Sequence, residues 1–212
     1  MTTRNLLDRD QIIGAAIALA DENGLDAVSM RKVGQAVGVE AMSLYHHIQN
    51  KERLLDAMIE AALAETPLAT PGPWRDTLRS HAAQTRLMLS RHPWAAALLN
   101  SRENPGAVTL ARHDALLGAL HGDGLPWGTV ASAISVVDAY VLGFAQTQQD
   151  LPFETPEESA SLGAEMLAQL PLSETPHFAQ FLTEHVLTPD YDHRAEFDRG
   201  LEILLVGLAS TF

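Results

Sequence analysis

Cysteine is absent from the 212 residues, which excludes disulfides, zinc-thiolate sites and thiol nucleophiles and makes a reducing cytosol the natural compartment. Lysine is nearly as scarce, with only Lys32 and Lys51 in the chain. Met1 to Asp10 is polar and charged, so it lacks the apolar run of a signal peptide. No segment alternates with period two over a useful length, so no sheet is expected, and neither an internal repeat nor a long low-complexity tract is present. Catalytic signatures are missing too: there is no HExxH, GxSxG, Walker or dinucleotide motif. His177, His185 and His193 only roughly keep one helical face, with Pro189 between the last two. We therefore expect no enzyme, no metal and no cofactor, although nine histidines and many carboxylates keep a hidden catalytic site as the alternative.

The most apolar long stretch, Gly124 to Gln149, carries Asp138 near its centre and many Ser, Thr and Gln, which favours burial in a helical protein over a membrane span. The formal net charge is −13, but it is unevenly placed. Residues 1–60 hold six basic and nine acidic side chains, and residues 61–212 hold eight and eighteen. Between Arg31 and Arg53 four basic residues face only Glu40 and Glu52. An acidic distal part repels a duplex, so DNA binding by such a chain would depend on a few placed contacts and on salt.

Helical punctuation is clear along the chain. Asp8 to Gln11 reads as a capping box, followed by Ile13, Ala16, Ile17 and Ala20 on one face and a stop at Asn23-Gly24. Ser29 is a good N-cap for a short helix with Val33, Ala36 and Val37, ended by Gly38. A second run, Ala41 to Ile48, begins within a few residues, so the two helices must cross steeply. Leu44 and Ile48 mark its inner face, leaving Ala41, Met42, Ser43, Tyr45, His46 and His47 to meet base edges and phosphates. A plain helical hairpin on a core is the competing reading of the same spacing. Asn50-Lys51-Glu52 opens a further helix to about Glu65, with Leu55, Met58 and Ala62 inward. The prolines between Thr66 and Pro73 break it. Later helices are expected at 74–91, 94–101, 107–120, 127–149, 157–170, 177–187 and 193–209, giving an all-α chain.

The order Arg31, Lys32, Gly38, Val39, Leu44, Tyr45, His47, Asn50, Lys51, then Leu54 and Leu55, resembles the N-terminal domain of the TetR family of transcriptional repressors. The likeness is close over about residues 8–60. It is looser to about 150, where it is most similar to the tetracycline-repressor branch. It implies an N-terminal three-helix helix-turn-helix DNA-binding domain (1–50), a linking helix (51–66) and a C-terminal helical ligand-binding and dimerisation domain (67–212). Tyr45 and Lys51 then match phosphate contacts, and His47 a histidine near the DNA backbone. Arg31, with Lys32 beside it, opens the first of the two helices as a base or phosphate contact. Ala41, Met42 and Ser43 match base-facing positions. His46 departs from the aromatic residue many relatives carry there, Met42 replaces a proline, and Met30 replaces a threonine, so the operator sequence is not transferable.

The resemblance further implies a homodimer on a palindromic DNA operator, its two heads reaching major grooves roughly 34 to 36 Å apart. Two helices look too apolar for a monomer surface and are the expected interface: Val130, Ala133, Ile134, Val137, Val141 and Phe144 on one, Phe197, Leu201, Leu204, Leu205 and Leu208 on the other. The alternative is that both are internal core. A small-molecule effector is expected in the body, coupled to DNA release. Candidate pocket residues, those with polar or aromatic tips on buried stripes, are His81, Gln84, Thr85, Met88, Trp94, Asn100, His113, Asp138, Tyr140 and Gln146. Tetracycline itself is not expected. The branch's metal-binding histidine falls near Leu98, and its polar set is not reproduced at Thr85 or near Glu65 and Thr66, so a more apolar ligand is anticipated. A protein-interaction module lacking DNA binding is the other class, but it would predict loss of phosphate contacts, and Tyr45 and Lys51 are both present.

Overall fold

A computed structural model describes residues 7–99, 105–153, 155–172, 174–188 and 190–210. Among these residues every regular element is helical. One compact unit runs as far as Ala145 and a second begins at Gln146.

Helix α1 (Arg9–Asn23) starts with the expected capping box: Gln11 N donates to Asp8 Oδ1 at 2.8 Å, and Asp8 N to Gln11 Oε1 at 3.3 Å. It buries Ile12, Ile13, Ala16 and Ala20, while Ile17 is only half-buried. Gly24 ends it at a φ of 76°. Helix α2 (Met30–Ala36) has Ser29 as N-cap, accepting from Lys32 N at 3.3 Å. Its buried residues are Met30, Val33 and Gly34, whereas Ala36 is exposed. Gly38 at φ 75° turns the chain into α3 (Ala41–Leu44). That helix is half the expected length, because beyond Leu44 the chain closes into a turn whose amides, His47 N and Ile48 N, both return to the Leu44 carbonyl.

Gly34 lies where α2 meets the start of α3. A Cβ there would stand 2.9 Å from the Val39 carbonyl oxygen and 3.3 Å from Ala41 N and Cα. The steep crossing thus depends on a missing side chain as well as on the turn glycine.

Helix α4 (Lys51–Ala64), N-capped by Asn50 through Arg53 N at 2.8 Å, buries residues on most of its circumference: Leu54, Leu55, Ala57, Met58, Ile59, Ala62 and Leu63. It packs on α1, on α6 (Ala95–Leu99) and on α7 (Ala107–Gly122). The proline-bearing segment after it therefore does not divide the first compact unit. Helix α5 (Trp74–Arg91) begins where Asp123, from the turn after α7, accepts from Trp74 N at 2.7 Å, placing a carboxylate at a helix N-terminus where the exposed amides favour negative charge. Helix α8 (Trp127–Asp150) is long and apolar enough to cross a membrane. It buries Val130, Ala133, Ile134, Val137, Val141 and Ala145 within the protein instead.

The second unit holds α9 (Pro156–Gln169), capped by a Thr155–Glu158 box, α10 (Pro176–Phe181) running into a π turn at Leu182–Val186, and α11 (His193–Ala209). Gly163 of α9 lets the π turn approach, since a Cβ would meet Leu187 Cδ2 at 3.1 Å. Phe197, Leu201, Leu205 and Leu208 are buried in the single chain. Of the apolar residues the sequence offered as an interface, Phe144 and Leu204 are half-buried and the others are buried. The apolar groups left on the surface lie on the opposite faces: Ile203 at 72 % exposure and Val206 on α11, and Val136 on α8.

Candidate nucleic-acid interface and effector cavity

The helix-turn-helix holds Val28, Val33, Leu44 and Ile48 inward, all at most 3 % exposed. The sequence-predicted DNA-contact residues lie on the outward face. Met42 is 74 % exposed, Tyr45, His46 and His47 are exposed, and Ala41 and Ser43 are half-buried beside them. Arg31 and Lys32 are exposed in the first turn of α2, and Lys51 in the first turn of α4. His47 also borders a groove lined by Arg9 and Arg53 together with Asp10, Asp56 and Glu60, Arg53 being paired with Asp56 at 3.4 Å. Met30, by contrast, is core at 8 % exposure.

Two polar joints tie this head to the rest of the first unit. At the first, the Glu60 carboxylate of α4 accepts from Val108 N at 2.8 Å, Thr109 N at 3.1 Å and the Thr109 hydroxyl. It therefore caps α7, whose own N-cap, Gly106, has no side chain to do so. At the second, His92 places Nδ1 2.8 Å from Asp21 Oδ1 and Nε2 3.3 Å from Glu65 Oε1, while Trp94 Nε1 donates to the same Asp21 oxygen at 2.6 Å. The ends of α1, α4 and α5 thus meet on one buried imidazole. Its truncation to alanine would leave two carboxylates facing each other's field. We expect His92→Ala to lower stability by about 1–3 kcal/mol in thermal unfolding; an unchanged midpoint would show the joint to be solvent-supported.

Beside the first joint lies a cavity of about 220 Å³. Leucines from four helices, Leu63, Leu99, Leu116 and Leu142, supply its apolar lining. His81, Thr85, His113 and Asp138 from the candidate set line it as well, together with Thr109 and Arg112, which sequence reasoning missed. Asp138 Oδ1 is 2.7 Å from His81 Nε2. Arg112 Nη1 donates to the carbonyls of Thr66 at 2.8 Å and Pro67 at 3.0 Å, and burial lowers the pKa of its guanidinium.

The other candidates stand apart. Gln84 lines a neighbouring pocket and donates to Ser80 Oγ. Met88 and Trp94 are packed in the core, Trp94 being committed to Asp21. Tyr140 is half-buried with its ring 6.0 Å from that of Phe144. Gln146 is exposed and donates to Asp150. Asn100 lies outside the described residues. In the second unit, His185 sits against the rings of Phe181 and Tyr191, with Nε2 3.7 Å from Glu196. Burial, then Glu196 and Asp192, raise the Tyr191 pKa.

A helix-turn-helix whose following helix, α4, also walls a cavity is the architecture of a DNA-binding transcriptional regulator. Comparison with known proteins gives the particular family. Residues 12–58 match the bacterial regulatory proteins of the tetR family, and residues 66–212 match the tetracyclin repressor-like C-terminal domain. An HTH-type transcriptional regulator of Saccharopolyspora erythraea is 32 % identical over 99 % of this chain and 87 % of its own length. The HTH-type transcriptional repressor DrrR1 of Streptomyces coeruleorubidus is 33 % identical over 95 % of this chain and 77 % of its own. Among solved structures, the TetR family protein ActR of Streptomyces coelicolor in complex with actinorhodin superimposes with a TM-score of 0.79 at 25 % identity, covering 97 % of each chain. The chain belongs to the TetR family of transcriptional regulators, a family of DNA-binding, dimerising and ligand-binding proteins rather than of enzymes.

Proposed function

We propose that this protein represses transcription as a cytoplasmic homodimer on a palindromic operator and leaves the DNA when a small molecule enters the cavity bordered by α4. The observation that carries the reading is the shared wall: Leu63 of the linking helix lines the cavity, and three residues earlier Glu60 clamps α7. A ligand that displaces this wall acts on the helix that bears the head. ActR, solved with actinorhodin, and DrrR1, a repressor by name, point the same way. Residues 1–50 would then be the reading head, 51–66 the link and 67–212 the regulatory and dimerising body. The exposed apolar groups Ile203 and Val206 on α11 suit a self-association surface.

On the operator, Tyr45, His47 and Lys51 would hold phosphates with Arg31 and Lys32, while Ala41, Met42 and Ser43 face bases, with His46 at the groove edge. Phosphate contacts position the protein and base contacts specify. Lys51→Ala should accordingly weaken binding to every sequence and flatten the log–log salt slope by about one. Changes at Ser43 or Met42 should instead reorder the preference among sequences. Equal loss on all sequences from a Ser43 change would remove that residue from the reading surface.

The direct test is enrichment of bound duplexes from a random DNA pool at near-physiological salt. A palindrome with half-sites about one helical turn apart supports the dimeric regulator. Absence of any enriched sequence would leave a ligand-binding module without DNA function.

A further inference from the structure

We propose that the effector is an organic anion, an apolar molecule bearing a carboxylate, and that Arg112 receives its acid group. This deepens the reading above and rests on it. Arg112 is half-buried and lines both the 220 Å³ cavity and the adjoining pocket of about 380 Å³ beneath residues 67–72. A molecule spanning the two voids passes its guanidinium. Among the described residues Arg112 is engaged through Nη1, by the neutral carbonyls of Thr66 and Pro67. Among the described residues no carboxylate pairs with Arg112. The acidic group in the cavity, Asp138, lies against His81 instead, at 2.7 Å.

A guanidinium offers five N–H donors in a planar fork that matches a carboxylate, and burying such a cation without a counter-charge is costly. Burial lowers the Arg112 pKa, as expected of a cation drawn out of water. An incoming carboxylate supplies the missing charge where screening by water is weak. The four leucines give the rest of the ligand an apolar bed, and Thr85 offers a hydroxyl.

The same site connects to the link. Thr66 and Pro67 directly follow the end of α4 at Glu65, so an anion that reorients the Arg112 fork alters the hold on that helix's C-terminal end.

The test uses the full-length protein and a matched panel, hexanoate, decanoate and 1-naphthoate against their uncharged primary amides, read by thermal shift and calorimetry. Acids should raise the unfolding midpoint by about 5–10 °C at a hundredfold excess over their Kd, with the amides well below. Arg112→Gln should weaken acid binding roughly ten- to a hundredfold and weaken amide binding far less. Arg112→Lys, which keeps the charge but not the fork, should retain part of the preference and guards against misfolding of the glutamine variant. Equal response to acids and amides, or undiminished acid binding by a folded Arg112→Gln, overturns the proposal. Operator retention by the ligand-free wild type is measured in parallel. If DNA is never bound, the regulator reading has failed; if DNA is bound and no acid is preferred, only the anion assignment has.

Discussion

Gly34→Val should cost the protein its operator binding, weakening it roughly a hundredfold or more, since each lost base-pair contact is worth about 1–3 kcal/mol. The α2 backbone runs so close to the α3 entry that even a methyl group would lie 2.9 Å from the Val39 carbonyl oxygen. The obstructing atoms are backbone, and they are fixed by the hydrogen bond from Val39 N to the Gly34 carbonyl at 2.9 Å. No rotamer relieves the contact, so α3 must swing out, carrying Met42 and Ser43 with it. Overpacking of this kind costs about 1–3 kcal/mol, which for a chain this long lowers Tm by several degrees, at about 2–4 °C per kcal/mol. Gly14 is the internal control, because it is exposed on α1 with open space around its Cβ position. Gly14→Ala should be neutral or slightly stabilising through helix propensity alone. Fluorescence anisotropy on the selected operator and thermal unfolding of both variants decide the matter. Wild-type affinity in Gly34→Val would mean that α2 and α3 have room the geometry does not show.

The second large effect is expected at Glu60. Its carboxylate satisfies two of the amides left without intrahelical partners at the start of α7, and a hydroxyl besides. Glu60→Ala strands these donors in a partly buried place and should cost about 2 kcal/mol. It also removes the tie between the linking helix and the helix that bears Arg112, so effector addition should release DNA less completely. Gly106 supplies a partner for a double-mutant cycle. A Cβ on residue 106 would fall 2.2 Å from the Glu60 carboxyl group, so Gly106→Ala evicts that side chain. The two substitutions should therefore be non-additive, the second costing little once the first is made. Simple additivity would show that Glu60 and the α7 cap are energetically separate.

Neither of these two sites is legible in the sequence, whereas the helix caps are. The caps Asp8, Ser29, Asn50 and Thr155 each bond an amide three residues on, so their role is written in adjacent sequence. Helix limits follow from the same local chemistry and from Gly24 and Gly38, both at positive φ. Gly34 gives no such signal, since its reason is a backbone five residues away that only the folded turn brings near. Glu60 and Arg112 read as ordinary solvated charges on amphipathic helices. Their partners lie 45 to 49 residues off, a distance over which periodicity carries no information. Met88 and Trp94 show the converse error, because a polar or polarisable tip on a buried stripe looks the same whether it faces a void or a packed core. The apolar faces of α8 and α11 read equally as internal core and as an interface with a second copy. Hydrophobicity says that a face is covered and not by what.

Helix α8 carries a lesson for anyone who would graft this sensor onto another promoter-binding head. By compactness the chain parts between Ala145 and Gln146, yet that point is inside an uninterrupted 24-residue helix. A chimera spliced there would cut through continuous backbone hydrogen bonding and inherit mismatched half-helices from two parents. The practical seam is upstream, in the proline-bearing stretch between the two family matches at 12–58 and 66–212. A transplant joined at that seam should keep Arg112 with the carbonyls of Thr66 and Pro67 in one piece. The Glu60 clamp would then have to be rebuilt on the recipient's own linking helix.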